Sequence, residues 1–316
     1  MAKRYVGIDL GGTNLKLGLV SAAGEVLASH SVPTEADRGP AHVLSRMAAA
    51  VGDLCAKAGL RAADAAAVGV GSPGPVDTAR GVVLQTPNMA GWKNVPVTAV
   101  LRKKLRRPVR LENDANAAAY GEFRCGAARG TSDMFLLTLG TGIGGGIVLG
   151  GRLFRGTSDT GAELGHIIIQ GGGRVCGCGN RGCLEAYASA TAVVERFRQE
   201  AGVIANRNEF SCKDIFDAAA QGQGIARRIV AETADYLAVG ITSLLHVLNP
   251  EMVVLTGGMM GAGKPFLDRI RRGVREMAFP SASRACRICW STLGGDAGII
   301  GAALAAEALD RTGRPA

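Results

Sequence analysis

The chain has 316 residues, room for one large or two medium domains, and its 47% hydrophobic and 20% charged composition excludes a disordered or collagen-like chain. Thirty-six basic against 27 acidic residues give a net charge of +9, yet the one dense basic run, Arg102-Lys103-Lys104-Leu105-Arg106-Arg107, reads as a solvated helix face. With aromatics at 4%, base-stacking surfaces and hence nucleic acid as a partner are not expected.

In chain order, Tyr5–Leu10 reads as a strand, Gly11-Gly12-Thr13-Asn14 as a turn, and Leu15–Val20 as a returning strand. A helix is predicted over 40–59, with Val43, Leu44, Met47, Val51 and Leu54 on its apolar face. A buried strand over 67–71 ends in the loop Ser72-Pro73-Gly74-Pro75. A helix over 96–105, a strand over 108–111 and a helix over 115–123 follow. Phe135–Leu139, the glycine-rich turn Gly140–Gly146 and Ile147–Leu149 repeat the N-terminal strand–turn–strand design, pointing to two related α/β domains. Helical patterns cover 189–201, 212–220 and 224–248, a buried strand covers 251–256 before Gly257-Gly258, and a last helix is predicted over 296–309. No apolar run reaches ~18 residues, so no membrane span is expected. A strand pattern beginning at Tyr5 leaves no signal peptide, and the expected location is the cytoplasm.

Glycine, 46 of 316 residues, is used about twice as often as its usual ~7%. Three glycine turns follow strands, at 11–13, 140–146 and 257–258. Backbone amides free of side chains can approach phosphate oxygens there, although a single such turn is also ordinary hairpin chemistry. Two look-alikes are rejected. Gly258–Lys264 matches seven positions of a phosphate-binding P-loop, but Pro265 stands where a magnesium-binding hydroxyl is required. Gly140–Gly145 resembles a dinucleotide fingerprint but leads into a strand.

Asp9, where the first strand meets its turn, is either a turn cap or a carboxylate held opposite phosphate by a cation, most simply magnesium. Lys16 either pairs with phosphate or points to solvent. Asp114 in Glu112-Asn113-Asp114 is either a helix N-cap or a general base for a substrate hydroxyl, and Asn113 offers donor and acceptor together to a polyhydroxyl ligand. Three of the eight cysteines, Cys176, Cys178 and Cys183, cluster near His166, one of four histidines. Three thiolates and an imidazole make a closed tetrahedral zinc set, structural in kind, that would clamp Glu163 and Glu185 into one pocket. The alternative is a group of reduced, metal-free thiols.

Together these residues resemble the ROK family (repressors, uncharacterised frames and sugar kinases), and within it the bacterial ATP-dependent glucokinases. The resemblance runs over essentially the whole chain: Asp9-Leu-Gly-Gly-Thr-Asn14, Gly71-Ser-Pro-Gly-Pro75, Pro87-Asn88, Glu112-Asn-Asp114, Leu139–Gly145, Glu163-Leu-Gly-His166, the cysteine loop through Glu185, Gly257-Gly258 and Asp296-Ala-Gly298. It implies an α/β, two-domain actin/hexokinase/Hsp70-like ATPase fold with duplicated domains around a central cleft. The small domain would cover 1–115, joined by the C-terminal helix at about 297–316. The large domain would cover 116–296 and carry the zinc loop.

The implied reaction is ATP-dependent phosphorylation of a hexose, glucose first, with N-acetylhexosamines, mannose or fructose as alternative acceptors. Asp114 is implied as the base at the sugar 6-hydroxyl, with Gly71, Asn88, Asn113, Glu163, His166 and Glu185 around the sugar. Gly11, Gly12, Thr13, Asn14, Lys16, Gly140, Thr141 and Gly142 are expected at the phosphates, Gly257 and Gly258 at the adenosine, and Asp9 acting through Mg2+. His166, Cys176, Cys178 and Cys183 are expected to hold Zn2+, with one His166 ring nitrogen on the ion and the other on the sugar. A homodimer or homotetramer is implied. Departures are small: Ala190 stands where the family often has glycine, and Gly263-Lys264 is unusual. A repressor of this family would need a helix-turn-helix ahead of the first phosphate motif, and the strand at Tyr5 leaves none in this sequence. A non-catalytic sugar sensor would have lost Asp114 or the phosphate loops, and both are intact.

Overall fold

The computed structural model describes residues 3–86, 89–202 and 210–312. In chain order its elements are β1 (Arg4–Leu10), β2 (Asn14–Ser21), β3 (Val26–Pro33), α1 (Pro40–Lys57), β4 (Ala67–Ser72), β5 (Val76–Asp77), β6 (Val82–Gln85), β7 (Lys93–Val95), α2 (Val97–Leu105), β8 (Val109–Asn113) and α3 (Asp114–Cys125). Next come β9 (Met134–Leu139), β10 (Ile143–Leu149), β11 (Arg152–Phe154), α4 (Glu185–Ala188), α5 (Ala190–Ala201), α6 (Cys212–Ala220) and α7 (Gly224–Leu248). The last are β12 (Met252–Thr256), α8 (Gly263–Met277), α9 (Pro280–Ala285), β13 (Arg287–Trp290) and α10 (Ala297–Thr312). Among the described residues no helix is long and apolar enough to cross a membrane.

Two compact units divide the chain: residues 1–132, 146–162 and 292–316 form one, and 133–145 with 163–291 form the other. Within the first, the sheet runs β3-β2-β1-β4-β8, antiparallel in its first three strands and parallel from β1 through β4 to β8. One face is covered by α1, whose five predicted apolar residues are all buried. The other carries α10, which comes so close that a Cβ at Gly7 or Gly69 would strike the carbonyls of Ile299 and Ala302. Part of the high glycine content therefore serves helix-on-sheet packing, a use the turn-centred reading of the sequence did not include. Since α3 packs along α10, this unit runs beyond residue 115 to 132.

The second sheet has the order β11-β10-β9-β12-β13, with β9, β12 and β13 parallel. Counted from its own first strand, each sheet reads 3-2-1-4-5, so the echo between the two glycine hairpins extends to whole-sheet topology. The basic run 102–107 ends α2 with Arg102, Lys103, Lys104 and Arg106 exposed, as a solvated face requires. Segment 258–265 forms a 3-10 turn and the start of α8, and Lys264 bonds Asp268 of its own helix at 2.5 Å.

Candidate active site

In the first unit, strand pairing sets the candidate residues side by side. The β1–β2 register opposes Asp9 to Lys16, the β1–β4 register opposes Asp9 to Gly71, and the β4–β8 register opposes Ser72 to Asn113. Asp9, Gly71, Asn113 and Asp114 thus sit at the carboxyl ends of adjacent parallel strands, where α/β sheets bind ligands.

The Asp9 carboxylate makes no hydrogen bond or ion pair among the described residues. Burial pushes its pKa up, an effect that Lys16 partly offsets. A half-buried acid without a hydrogen-bond donor is a group that a cation would satisfy. Next to it the turn 11–14 is braced by Thr34, whose hydroxyl donates to the Gly11 carbonyl (2.7 Å) and whose amide donates to the Thr13 carbonyl (2.8 Å).

Capping of α3 falls to Asn113, not Asp114. The Asn113 Oδ1 accepts from the amides of Ala115 (3.0 Å) and Asn116 (3.1 Å), while its Nδ2 donates to the Gly74 carbonyl (3.3 Å). Asp114 is the first residue of the helix, with Oδ1 accepting from the Ala115 amide (2.8 Å). A Cβ on Gly71 would lie 3.5 Å from the Asp114 Cα, so the strand end is packed against the backbone of this acid. Behind it lies a buried ion pair that the sequence reading missed. Arg155 Nε (2.9 Å) and Nη2 (2.5 Å) both bond Glu112 Oε2, and Glu112 Oε1 accepts from the Asn113 amide (3.2 Å). Glu112 is 1% exposed. With Oε2 held by Arg155, Glu112 Oε1 fixes the Glu112–Asn113 peptide just ahead of Asp114 and also accepts from Asn116 Nδ2 of α3 (3.4 Å).

In the second unit the cysteine loop is a small hairpin. Bridges pair Ile168 with Cys183 and Val175 with Arg181, and the Cys176 amide donates to the Asn180 carbonyl (2.8 Å). Ligand atoms of His166, Cys176, Cys178 and Cys183 all lie within 4.8 Å of one another. A tetrahedral zinc ion with bonds of about 2.3 Å to sulfur and 2.0 Å to nitrogen needs S···S and N···S edges of roughly 3.8 and 3.6 Å. The Cys178–Cys183 Sγ separation is 3.7 Å, and His166 Nδ1 lies 3.6 Å from Cys176 Sγ. These two of the six donor–donor edges have the length such an ion requires, and the chemistry of the four donors suits it.

Glu163, exposed, makes no hydrogen bond or ion pair through its carboxylate among the described residues and opens the short helical turn Leu164–His166. Gly165 packs that turn against Ile143 at the start of β10, where any side chain would clash with the carbonyl. Glu185 lies between the cysteine loop and the second glycine turn: Oε1 accepts from Cys176 Sγ (3.6 Å) and Oε2 from the Ile143 amide (2.8 Å). The same turn is held by the Ala190 amide on the Gly140 carbonyl (2.9 Å) and the Thr191 hydroxyl on the Thr141 carbonyl (2.8 Å). Gly257, at φ 102°, packs against the end of β9, which brings Gly257-Gly258 beside Gly140.

A cavity of about 580 Å³ opens next to Thr141, lined by Thr191, Val194, Glu195 and Arg198 of α5 together with Phe210 and Cys212. Its volume is that of a small-molecule site. The spacing 191-194-195-198 is a single helix stripe, the signal by which the sequence could have disclosed this wall. Asn88, expected at the sugar, lies outside the described residues.

A sequence model of the ROK family matches residues 5–308. The chain belongs to the ROK family. It is 39% identical over 310 residues to a glucokinase of Thermotoga maritima, covering 95% of this chain and 96% of that one. Among solved structures, a ROK hexokinase from Thermus thermophilus superposes with a TM-score of 0.86 at 36% identity, covering 98% and 99% of the two chains. A ROK glucokinase from Streptomyces griseus, solved with glucose and AMPPNP, gives 0.83 at 34% identity over 96% and 99%. The duplicated actin/hexokinase-like ATPase fold expected of a ROK protein is the fold found.

Proposed function

We propose that this ROK protein is an ATP-dependent glucokinase, converting glucose and ATP to glucose 6-phosphate and ADP. The observation that carries the reading is Asp114. It stands at the carboxyl end of β8 as the first residue of α3, next to the Asn113 that caps the helix and the Arg155–Glu112 pair. The full-length similarity to glucokinases supports the same chemistry.

In this reading the Asp114 carboxylate takes the proton of the sugar 6-hydroxyl as that oxygen attacks the γ-phosphorus, and ADP leaves. Gly71, Asn88, Asn113, Glu163, His166 and Glu185 hold the remaining hydroxyls and fix the angle of attack. Asn113 has the narrowest part, since its Oδ1 is committed to α3 and only Nδ2 has a proton to spare. Amides at 11–13 and 140–142, with Asn14 and Lys16, stabilise charge on the phosphoryl oxygens. Asp9 would hold the Mg2+ that accompanies ATP, which supplies neutralisation of the β- and γ-oxygens when bound. The cavity beside Thr141 and the Gly257-Gly258 turn take the nucleoside, which favours ATP over polyphosphate as donor. Zinc on His166, Cys176, Cys178 and Cys183 is structural because all four positions are filled by protein. The resemblance supports a homodimer or homotetramer acting in the cytoplasm.

A hexose panel read by ADP release tests the assignment: glucose should give the highest kcat/KM over mannose, fructose, N-acetylglucosamine and N-acetylmannosamine. A different preferred sugar would reassign the acceptor. No stimulation by any hexose would refute the kinase.

A further inference from the structure

The second glycine turn is held by residues that no phosphate contact explains. Besides the Thr138 hydroxyl of β9, which accepts from the Gly144 amide (2.9 Å), three bonds reach it from one short stretch: the Glu185 carboxylate on Ile143, the Ala190 amide on Gly140 and the Thr191 hydroxyl on Thr141. That stretch begins directly after the last cysteine of the loop. Cys183 and Leu184 are fully buried, and the Leu184 amide donates to the Ile167 carbonyl (2.9 Å). The Tyr187 hydroxyl accepts from the Arg174 amide (2.7 Å), and Ser189 caps α5 through the Ala192 amide (3.1 Å). From Cys183 to Thr191 there is no flexible link: loop, α4, cap and α5 follow one another within nine residues.

We propose that Glu185 and Thr191 are positioning residues for the nucleotide-binding turn, and that closure of the cysteine loop on its ion sets nucleotide affinity as well as sugar affinity. This deepens the kinase reading and rests on it. Amides stabilise phosphate only when already fixed in direction, because the cost of ordering them is otherwise taken from binding. A loop without its ion frees Cys176 and Cys183, and with them the stretch that braces the turn. Glu185 then has a double office. Its Oε2 is committed to Ile143, and the Oε1 that faces Cys176 is the oxygen left for a sugar hydroxyl.

The test titrates ATP into the full, zinc-loaded chain by calorimetry without sugar. Thr191→Val keeps the volume and removes the hydroxyl of an exposed residue, so it should fold normally. It should raise the Kd for ATP by about three- to tenfold and leave that for glucose unchanged, and Thr191→Ser should restore it. Glu185→Gln keeps an acceptor for the Ile143 amide and should bind ATP like the wild type, whereas Glu185→Ala should not. Stripping zinc, with circular dichroism to confirm retained helix, should weaken ATP binding in the wild type and weaken it less in Thr191→Val, whose brace is already loosened. Thr191→Val and stripped protein that both bind ATP as the loaded wild type does would overturn the inference alone. A wild type that binds no ATP would overturn the kinase reading, and the inference with it.

Discussion

Two glycine–threonine turns, 11–14 and 140–143, occupy the same place in two sheets of the same strand order, yet they are braced differently. The first is held from within its own sheet: β3 has eight residues and pairs with β2 up to Asn14–Pro33, which carries Thr34 to the turn. In the second sheet the matching strand β11 has three residues and pairs only with Ile147, Val148 and Leu149. The stretch from Ile143 to Gly146 has no β11 partner; beside one bond within its own sheet, the Gly144 amide on the Thr138 hydroxyl (2.9 Å), its brace comes from Glu185, Ala190 and Thr191, downstream of the cysteine loop. Duplication thus supplied one turn twice, while the support of the second passed to a separate device that a metal can close.

The comparison breaks most readily at the cysteines. Cys183→Ser removes one of the four ligands and should lower zinc content well below one per chain and the melting temperature by at least ~4 °C. Metal analysis and thermal melts check this. Zinc uptake should also tighten as pH rises, because burial pushes the Cys176 thiol up to about 12 in the ion-free loop and the ion must displace its proton. Proton release in two buffers of different ionisation enthalpy measures that.

A smaller effect sharpens the other half of the comparison. Thr34 is fully buried, and Thr34→Val leaves the Gly11 carbonyl without that donor. The KM for ATP should rise by about three- to tenfold with zinc content unchanged.

The smallest effect on stability concerns Asp9. Its raised folded-state pKa means that this carboxyl favours folding most below its ordinary value of 3.8, and that the contribution is lost as pH rises through the folded value. Without a cation, burial of Asp9 therefore destabilises the protein at neutral pH relative to an uncharged side chain of the same shape. Asp9→Asn should raise its melting temperature by about 2–4 °C at pH 7 without Mg2+, with the gain shrinking as the pH falls, while phosphorylation is lost. A lower melting temperature at pH 7 would show that Asp9 is stabilised by contacts with the protein.

Much of this arrangement was legible in the sequence, for physical reasons that differ by element. Apolar runs ending in glycine disclosed β1, β4, β9 and β12, and the helical period disclosed α1 and α7, the latter at its observed bounds 224–248. β3 escaped because its burial alternates among Ala, Ser and His, giving little apolar contrast. α8 escaped although it is amphipathic, since the glycines before Lys264 drew attention to a phosphate motif at its start. Cysteine spacing disclosed the metal set because the loop is local. The Arg155–Glu112 grip was not legible, because its partners are 43 residues apart and meet only once α3 and β11 are in place. The bonds from Glu185 and Thr191 onto the turn were hidden for the same reason, at separations of 42 and 50 residues.

The central claim is that Asp114 removes a proton from a hexose hydroxyl during phosphoryl transfer, and glucose-dependent ADP release by Asp114→Asn beside the wild type tests it most directly. The account predicts that the variant retains glucose and ATP binding and the wild-type melting behaviour while kcat falls by about 10²–10⁴-fold. A variant that turns over glucose at the wild-type rate would contradict it.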